Sequence, residues 1–407
     1  MNQKRPKCGR IVLFEENLGN FGGIHTVTRA LHSGFSSQNA PVEFASLEEP
    51  VGHFKNAFVI NRGKSSTSLH RFASDYPGPF GIKYGLKRLH TPIWKLWRHV
   101  RIFAYLIRLG ANGVIISTTP EIVKSLHFHL KALKHFQLSP IVLQQLHSSF
   151  DGITNHWDLA GPLKATLDVT DRLVLLSDSD SDAFSRMSIA KCTVIPNPCT
   201  IPIHYERSLK PKKTDKPHRM VFVGRLSGEK RVDLIISAFD AALAKRPDIR
   251  KSWVLEIYGA GVDAKYLTQV RDKSHYATNI RFMGRIDNIE QVFCGADLSV
   301  LASSFEGLPM TLIESIRCGT PPITTRCSDA TTQITTRCGF LCDGDDIRTI
   351  STVMLEAMDE IIISPAKRLA CFEVGREFDL KPIMDSWWAL IDSCRSERNR
   401  QRCTSAR

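Results

Sequence analysis

The groups in this chain best suited to chemistry are two glutamates, Glu306 and Glu314, with seven residues between them in the run Ser303-Ser-Phe-Glu-Gly-Leu-Pro-Met-Thr-Leu-Ile-Glu314. An apolar stretch, Leu298–Leu301, reads as the strand leading in, and Pro309 suits the first position of the helix that follows. Both carboxylates then fall at the carboxyl edge of a sheet, where open α/β sheets bind ligands. The unpaired amides of Leu308, Met310 and Thr311, with the positive end of the helix dipole, form an anion site between them. Carboxylates accept strong hydrogen bonds from hydroxyls. The pattern suits a molecule with hydroxyls on both sides of a phosphate, and a sugar nucleotide has that form. Spacing alone leaves open the plainer reading of a loop-surface glutamate and a solvated helix glutamate.

Two cations strengthen the first reading. Val221-Phe-Val-Gly-Arg-Leu-Ser-Gly-Glu-Lys230 places Arg225 and Lys230 in a loop just after a strand. At that edge they could neutralise a pyrophosphate, although taken singly they are ordinary loop charges. In the first half, Gly19, Gly22 and Gly23 lie between the first strand and the first helix, where glycine lets backbone approach a phosphate. Their spacing departs from Gly-x-Gly-x-x-Gly, and no acidic residue stands where a ribose would need one. That counts against a dinucleotide-dependent oxidoreductase, the rival enzyme reading. Asp178-Ser-Asp180-Ser-Asp182 has the look of an Asp-x-Asp metal motif, but it sits between a strand and a helix, where Asp and Ser serve as caps.

The elements that must position these groups alternate between strand and helix. In the first half the strand candidates are Ile11–Phe14, Gly113–Ser117, Ile141–Leu146, Arg172–Ser177 and Cys192–Pro196. Helical patterns run through 24–35, 120–134 and 179–187. In the second half strands are expected at Met220–Gly224, Trp253–Tyr258, Ile280–Met283 and Leu298–Leu301, with helices at 232–244, 264–273 and 289–293 between them. Alternation of this kind predicts parallel sheets covered on both faces. A terminal amphipathic helix is expected from Leu380 to Ile391. The polar, lysine-rich segment 206–218 reads as a linker. The expected division is residues 1–205, the linker 206–218, a second domain 219–380, and a terminal helix with a basic tail, 381–407.

With 407 residues, 43% apolar and 23% charged, the chain has the composition of a globular protein with more than one core. Its charge is uneven: 23 Lys+Arg against 14 Asp+Glu in residues 1–205, and 25 against 25 in residues 221–407. Such asymmetry points to an anionic partner. Nucleic acid is not expected, because no recognition motif accompanies the charge, although a non-catalytic basic nucleic-acid-binding protein is the rival outside enzymes. From Tyr76 to Pro120 there are seven Lys/Arg and no acidic residue, interleaved with Trp94, Trp97, Phe103 and Tyr105. That composition fits either a membrane-surface helix or a helix packed on the sheet by its aromatic stripe. The eleven cysteines lack the paired spacings of a zinc site. No apolar run is long enough for a signal-peptide core or a spanning helix, so a cytoplasmic protein is expected, possible attachment to the inner face of the membrane included.

Taken together these segments resemble the family-four retaining glycosyltransferases of GT-B fold, over most of the chain from Ile11 to about Ile391. The segments FVGRLSGEKRVDLIISAF, EIYGAG at 256–261, IRFMGRIDN at 280–288, SSFEGLPMTLIE and GFLCDGDD at 339–346 stand in the family's order. The resemblance implies two facing Rossmann-like domains, the first for the acceptor and the second for the donor nucleotide, with a C-terminal helix that crosses back. It implies that Arg225 and Lys230 bind the donor diphosphate, Glu306 the donor sugar and Glu314 the ribose. Gly22 and Gly23 would approach from the first domain, and Gly259, Gly307, Leu308, Pro309, Met310 and Thr311 would complete the donor site. His147 in LQQLHSSFD would line the cleft near the transferred sugar. Ser315 and Arg317 depart from the alanines usual after the second glutamate, and Pro198-Cys199-Thr200 from a usual Gly-Val-Asp. The implied partners are a nucleotide-sugar donor, most commonly a UDP-sugar, and a glycan or lipid-linked acceptor such as a cell-surface polysaccharide or lipopolysaccharide. Neither a metal nor a cofactor is implied, the nucleotide-sugar being a co-substrate.

Overall fold

Ile11-Val-Leu-Phe-Glu15 is buried at every position, as a strand covered on both faces must be. It is β1, an inner strand of a seven-stranded sheet in the computed structural model. The structure describes residues 9–18, 22–50, 54, 57–60, 82–156, 160–186, 191–203, 205, 217–286, 288–363 and 365–405, with side chains of the helix at 82–109 from residue 96 onward. Gly19, most of the expected linker and the side chains of Trp94 and Lys95 lie outside these residues.

The first sheet comprises β1, β2 (Val42–Ser46), β3 (Phe58–Val59), β4 (Val114–Ser117), β5 (Ile141–Gln145), β6 (Arg172–Leu175) and β7 (Cys192–Val194), in the order β3-β2-β1-β4-β5-β6-β7. Every pairing is parallel. The helices α1 (Gly23–Ser37), α2 (Ile82–Leu109), α3 (Pro120–His135) and α4 (Asp178–Arg186) cover it. The Asp178–Asp182 run opens α4, where Asp180 accepts from Phe150 N at 2.8 Å and from Ser177 Oγ at 2.6 Å. These bonds tie a loop to a helix start, the capping role that Asp and Ser favour.

The second sheet has the order β10-β9-β8-β11-β12-β13 and is also parallel throughout. Its strands are β8 (His218–Val223), β9 (Trp253–Tyr258), β10 (Ile280–Gly284), β11 (Leu298–Leu301), β12 (Pro322–Thr324) and β13 (Phe340–Leu341). Strand β8 thus begins at the last residue of the expected linker. Helices α5 (Val232–Lys245), α6 (Ala264–Asp272), α7 (Ile289–Gly295), α8 (Met310–Arg317), α9 (Asp329–Cys338), α10 (Ile347–Ile363) and α11 (Ala366–Gly375) follow in chain order.

The last helix, α12, runs from Leu380 to Ser405, well past the expected end at Ile391. It lies across the first domain. Trp388 Nε1 donates to Gln38 Oε1 at 2.5 Å, and Gly34 of α1 leaves room for Met384. Further out, Arg398 clasps Asp171 at 2.6 Å and the carbonyls of Ser139 and Pro140, while Arg172 pairs with Glu397. The supposed basic tail is therefore helical as far as Ser405, because first-domain carboxylates and carbonyls receive its arginines. One apolar cluster passes through both domains: Ile11, Leu13 and Phe35 from the first, Leu308, Ile313 and Ile316 from the second, and Trp387, Trp388 and Ile391 from α12.

The two departures after Glu314 are buried and satisfied. Ser315 Oγ donates to Leu312 O and accepts from Ser299 Oγ. Arg317, also buried, donates to Ile201 O at 2.5 Å, Gly375 O at 2.9 Å and Asp379 at 2.6 Å, which fastens α8 to both chain segments that cross between the domains.

Candidate active site

Three loops of the second sheet's carboxyl edge are bound into one unit. The turn after β8 holds Arg231 in the left-handed region, with φ 46°, and its guanidinium donates to Ala302 O at 2.7 Å. Ser304 N donates to Glu229 O at 2.8 Å. The Lys230 ammonium pairs with the Glu306 carboxylate, which also accepts from Ser303 Oγ at 2.8 Å. Glu306 N then donates to Cys327 O at 3.2 Å, reaching the loop after β12. Lys230 and Glu306 are thus preassembled, and both remain part-exposed to a ligand. Arg225 stands exposed on the same turn as Lys230. Gly259, at φ 139°, passes so close to Gly224 O that a side chain has no space, so it shapes this turn from beneath.

Pro309 is the cap of α8 rather than its first helical residue: its φ of −64° is paired with ψ 125°, and the helix begins at Met310. Its carbonyl accepts from Leu312 N and Ile313 N, at 3.1 and 3.3 Å. The amides ahead of these, on Met310 and Thr311, are the orphan donors of a helix start. Glu314 lies one turn further on, buried, and burial pushes its carboxyl up to about 7. No hydrogen bond joins it to Glu306.

The first domain closes on this unit with its own backbone. A Cβ at Gly307 would collide with the His147 carbonyl oxygen, and would sit only 3.0 Å from His147 C and 3.2 Å from Ser148 Cα. A Cβ at Gly23 would be 3.3 Å from Met310 Cγ, whereas at Gly22 it would meet nothing within 4 Å. Asn197, which lies in the segment after β7, donates to Leu308 O at 3.3 Å and accepts from Gln145 at 3.2 Å. His147 follows β5; burial lowers its imidazole to about 4, so it is neutral at neutral pH, and its Nε2 is buried without a partner among the described residues. Residues from Gly23, His147, Asn197, Lys230 and 303–314 therefore converge on one cleft. Asn197, Ser303 and Arg231 were not singled out from the sequence. The signal for Asn197 was present, a lone amide between prolines in Val194–Pro198, but its partner lies 111 residues away.

Among the described residues, the first domain's cleft edge carries two neighbouring carboxylates. Glu15, at the end of β1, is buried and holds His25 Nδ1 at 3.2 Å. Glu16 beside it takes up a proton more readily than an ordinary carboxyl, through burial and the neighbouring charges of Glu121 and Glu48. Among the described residues no group of three or more His, Cys, Asp or Glu is arranged to hold a metal ion.

Two facing Rossmann-like domains with the cleft at their carboxyl edges define the GT-B class of fold, and solved structures of that class match. A mutant of S. aureus TarM, solved with fondaparinux, alpha-GlcNAc-glycerol and UDP, superposes with a TM-score of 0.69 at 12% identity over 94% of this chain and 99% of that one. Residues 217–360 match the family model described as glycosyl transferases group 1. That match falls within the domain of the second sheet and covers its strands β8 to β13. Over its whole length the chain is similar to an uncharacterized glycosyltransferase of Haemophilus influenzae, 21% identical across 94% of this chain and 99% of that protein. It is also 22% identical to the amylovoran biosynthesis glycosyltransferase AmsD of Erwinia amylovora, across 94% and 99%.

Proposed function

We propose that the protein transfers a sugar from a nucleotide-sugar donor, a UDP-sugar in the first instance, to a glycan or lipid-linked acceptor with retention at the anomeric carbon. The observation that carries this reading is the Lys230–Glu306 pair set beside the open start of α8, with Glu314 buried behind it. The donor diphosphate would lie on the orphan amides of Met310 and Thr311, with Arg225 and Lys230 as counter-charges. Glu306 would accept from hydroxyls of the donor sugar and Glu314 from those of the ribose. In this reading the acceptor hydroxyl attacks from the face the diphosphate leaves, and its proton passes to a departing phosphate oxygen. The protein positions the reactants and stabilises the charge growing on the diphosphate, without a protein nucleophile. His147, neutral with an unpartnered Nε2, suits a hydrogen bond to a sugar hydroxyl rather than proton transfer.

The TarM structure was solved with UDP, and AmsD is named for amylovoran biosynthesis; both fit this reading. The carboxylates at the first domain's edge favour an acceptor held through hydroxyls over one held through phosphate. A panel of sugar nucleotides assayed for slow hydrolysis and thermal shift tests the donor: one of them should raise the melting temperature in a concentration-dependent way. Hydrolysis of that donor should persist with excess chelator, and a rate that collapses would return a metal to the mechanism.

Glu314 gives the reading a pH signature. Its carboxyl sits at about 7 instead of the ordinary 4.5, so the empty fold favours the uncharged form, and this group's contribution to stability is lost as pH rises from 4.5 to 7. Ribose hydroxyls favour the charged form, so donor affinity should rise across the same window. Glu314→Gln is expected to raise donor KM about tenfold, to flatten its pH dependence, and to melt higher than the parent above about pH 7 when donor is absent. A KM and pH profile unchanged by the substitution would remove Glu314 from the site.

A further inference from the structure

Helix α2 has two apolar faces. Ile102, Tyr105, Leu106 and Leu109 are buried against the first sheet. On the opposite side stand Leu96, Trp97, Val100 and Ile107, with exposures of 66, 62, 57 and 57%, joined by exposed Ala104. Phe128 of α3, 65% exposed, extends the patch: its ring lies 6.0 Å from His99 and 6.1 Å from Phe103. A surface helix normally turns polar residues outwards, and a contiguous apolar face marks an interaction surface.

The rim of the patch decides what it meets. Arg108 keeps 61% of its side chain exposed, Lys131 keeps 67%, and Lys124 is exposed too. The acidic groups near them are engaged: Glu43 accepts from Tyr105 at 2.7 Å, and Asp168 pairs with Lys131 at 3.2 Å and His127 at 2.7 Å. From Tyr76 to Pro120 the sequence has seven Lys/Arg and no carboxylate. A second copy on this face would set the same cations against themselves, since a two-fold contact pairs a patch with its own image. An anionic bilayer supplies both an apolar interior for the stripe and negative headgroups for the rim.

We propose that the Leu96–Ile107 face of α2, with Phe128, docks the protein on the surface of an anionic lipid bilayer. Among the described residues no helix is long and apolar enough to cross a membrane, and the stripe is of the kind that lies in the interface plane. Because α2 runs antiparallel to the strands beside it, its N-terminal end points to the carboxyl edge of the sheet. Docking therefore holds the mouth of the cleft beside the bilayer, where a lipid-borne acceptor would be presented.

Flotation of the full chain with phosphatidylcholine vesicles, with and without phosphatidylglycerol, tests the proposal. Binding is expected only with phosphatidylglycerol, and should weaken as salt is raised. Trp97→Ser/Val100→Ser/Ile107→Ser, which removes solvent-facing groups, should melt like the parent and bind about tenfold more weakly or less. Arg108→Glu/Lys124→Glu should lose binding with the apolar stripe intact. Parent protein that ignores both vesicle types, or a triple-serine variant that floats as the parent does, overturns the proposal. So does a parent that sediments as a dimer while the triple variant is a monomer. Donor hydrolysis without vesicles is measured on each variant and should not change, so failure of docking and failure of the transfer reading are told apart.

Discussion

Glu306→Gln is expected to slow sugar transfer by about a thousandfold while leaving the melting temperature within a degree or so of the parent. The substitution keeps the size of the side chain and leaves the backbone bond from residue 306 to Cys327 O in place. What it removes is the charge that pairs with Lys230 and accepts from Ser303 Oγ. A neutral amide binds sugar hydroxyls more weakly and lets Lys230 swing from its place beside the diphosphate. Lys230→Ala should slow transfer comparably, and the double variant should be little worse than either single one, because the two residues act as a unit. Turnover at saturating donor, read beside a thermal melt, decides the matter. Full turnover in Glu306→Gln would move the donor sugar's contact to another residue.

Gly307→Ala should lower kcat/KM by about a hundredfold, and here stability falls as well. The added methyl meets the His147 carbonyl of the other domain, and both partners are backbone, so neither can rotate away. The domains must separate by roughly 1 Å at this point, and misplacement on that scale costs about a hundredfold in rate. The same separation strains the bond from Asn197 to Leu308 O, 3.3 Å long and spanning the two domains, so about 1–3 kcal/mol of stability goes with it. Gly22→Ala is the control: open space surrounds that Cβ, and its φ of 164° is ordinary extended backbone. Equal rates for Gly307→Ala and the parent would mean that the cleft closes elsewhere.

The long central strands were legible because sheets buried on both faces need runs such as Ile11–Phe14 and Trp253–Tyr258, and such runs stand out against polar loops. Strands β3, β12 and β13 were not, since two or three residues carry no periodicity to read. Helix α9 escaped for another reason. Its sequence, DATTQITTRC, is rich in β-branched residues, and it is held by the Ser328 cap and by burial of Ala330, Ile334 and Cys338. In the candidate site, Glu306 and Lys230 could be found because each follows soon after a strand, and strand ends locate a sheet's working edge; Glu314 is found by its spacing from Glu306 across the helix start. Arg231 and Asn197 act on partners 71 and 111 residues distant, which local pattern does not encode. The charge of the first half is legible only as a count, because a sum over residues says nothing of which side of a sheet they occupy.

The apolar cluster that passes from β1 through α8 to α12 makes the two Rossmann-like halves one cooperative body. Neither half owns a complete interior: the first lends Phe35 to Trp388, ring to ring at 5.4 Å, and the second leaves the inner side of α12 bare unless α1 covers it. Calorimetry should then record one heat-absorption peak for the whole chain rather than two. The second half produced alone, though it contains every residue of the family match, should aggregate through the uncovered face of its final helix.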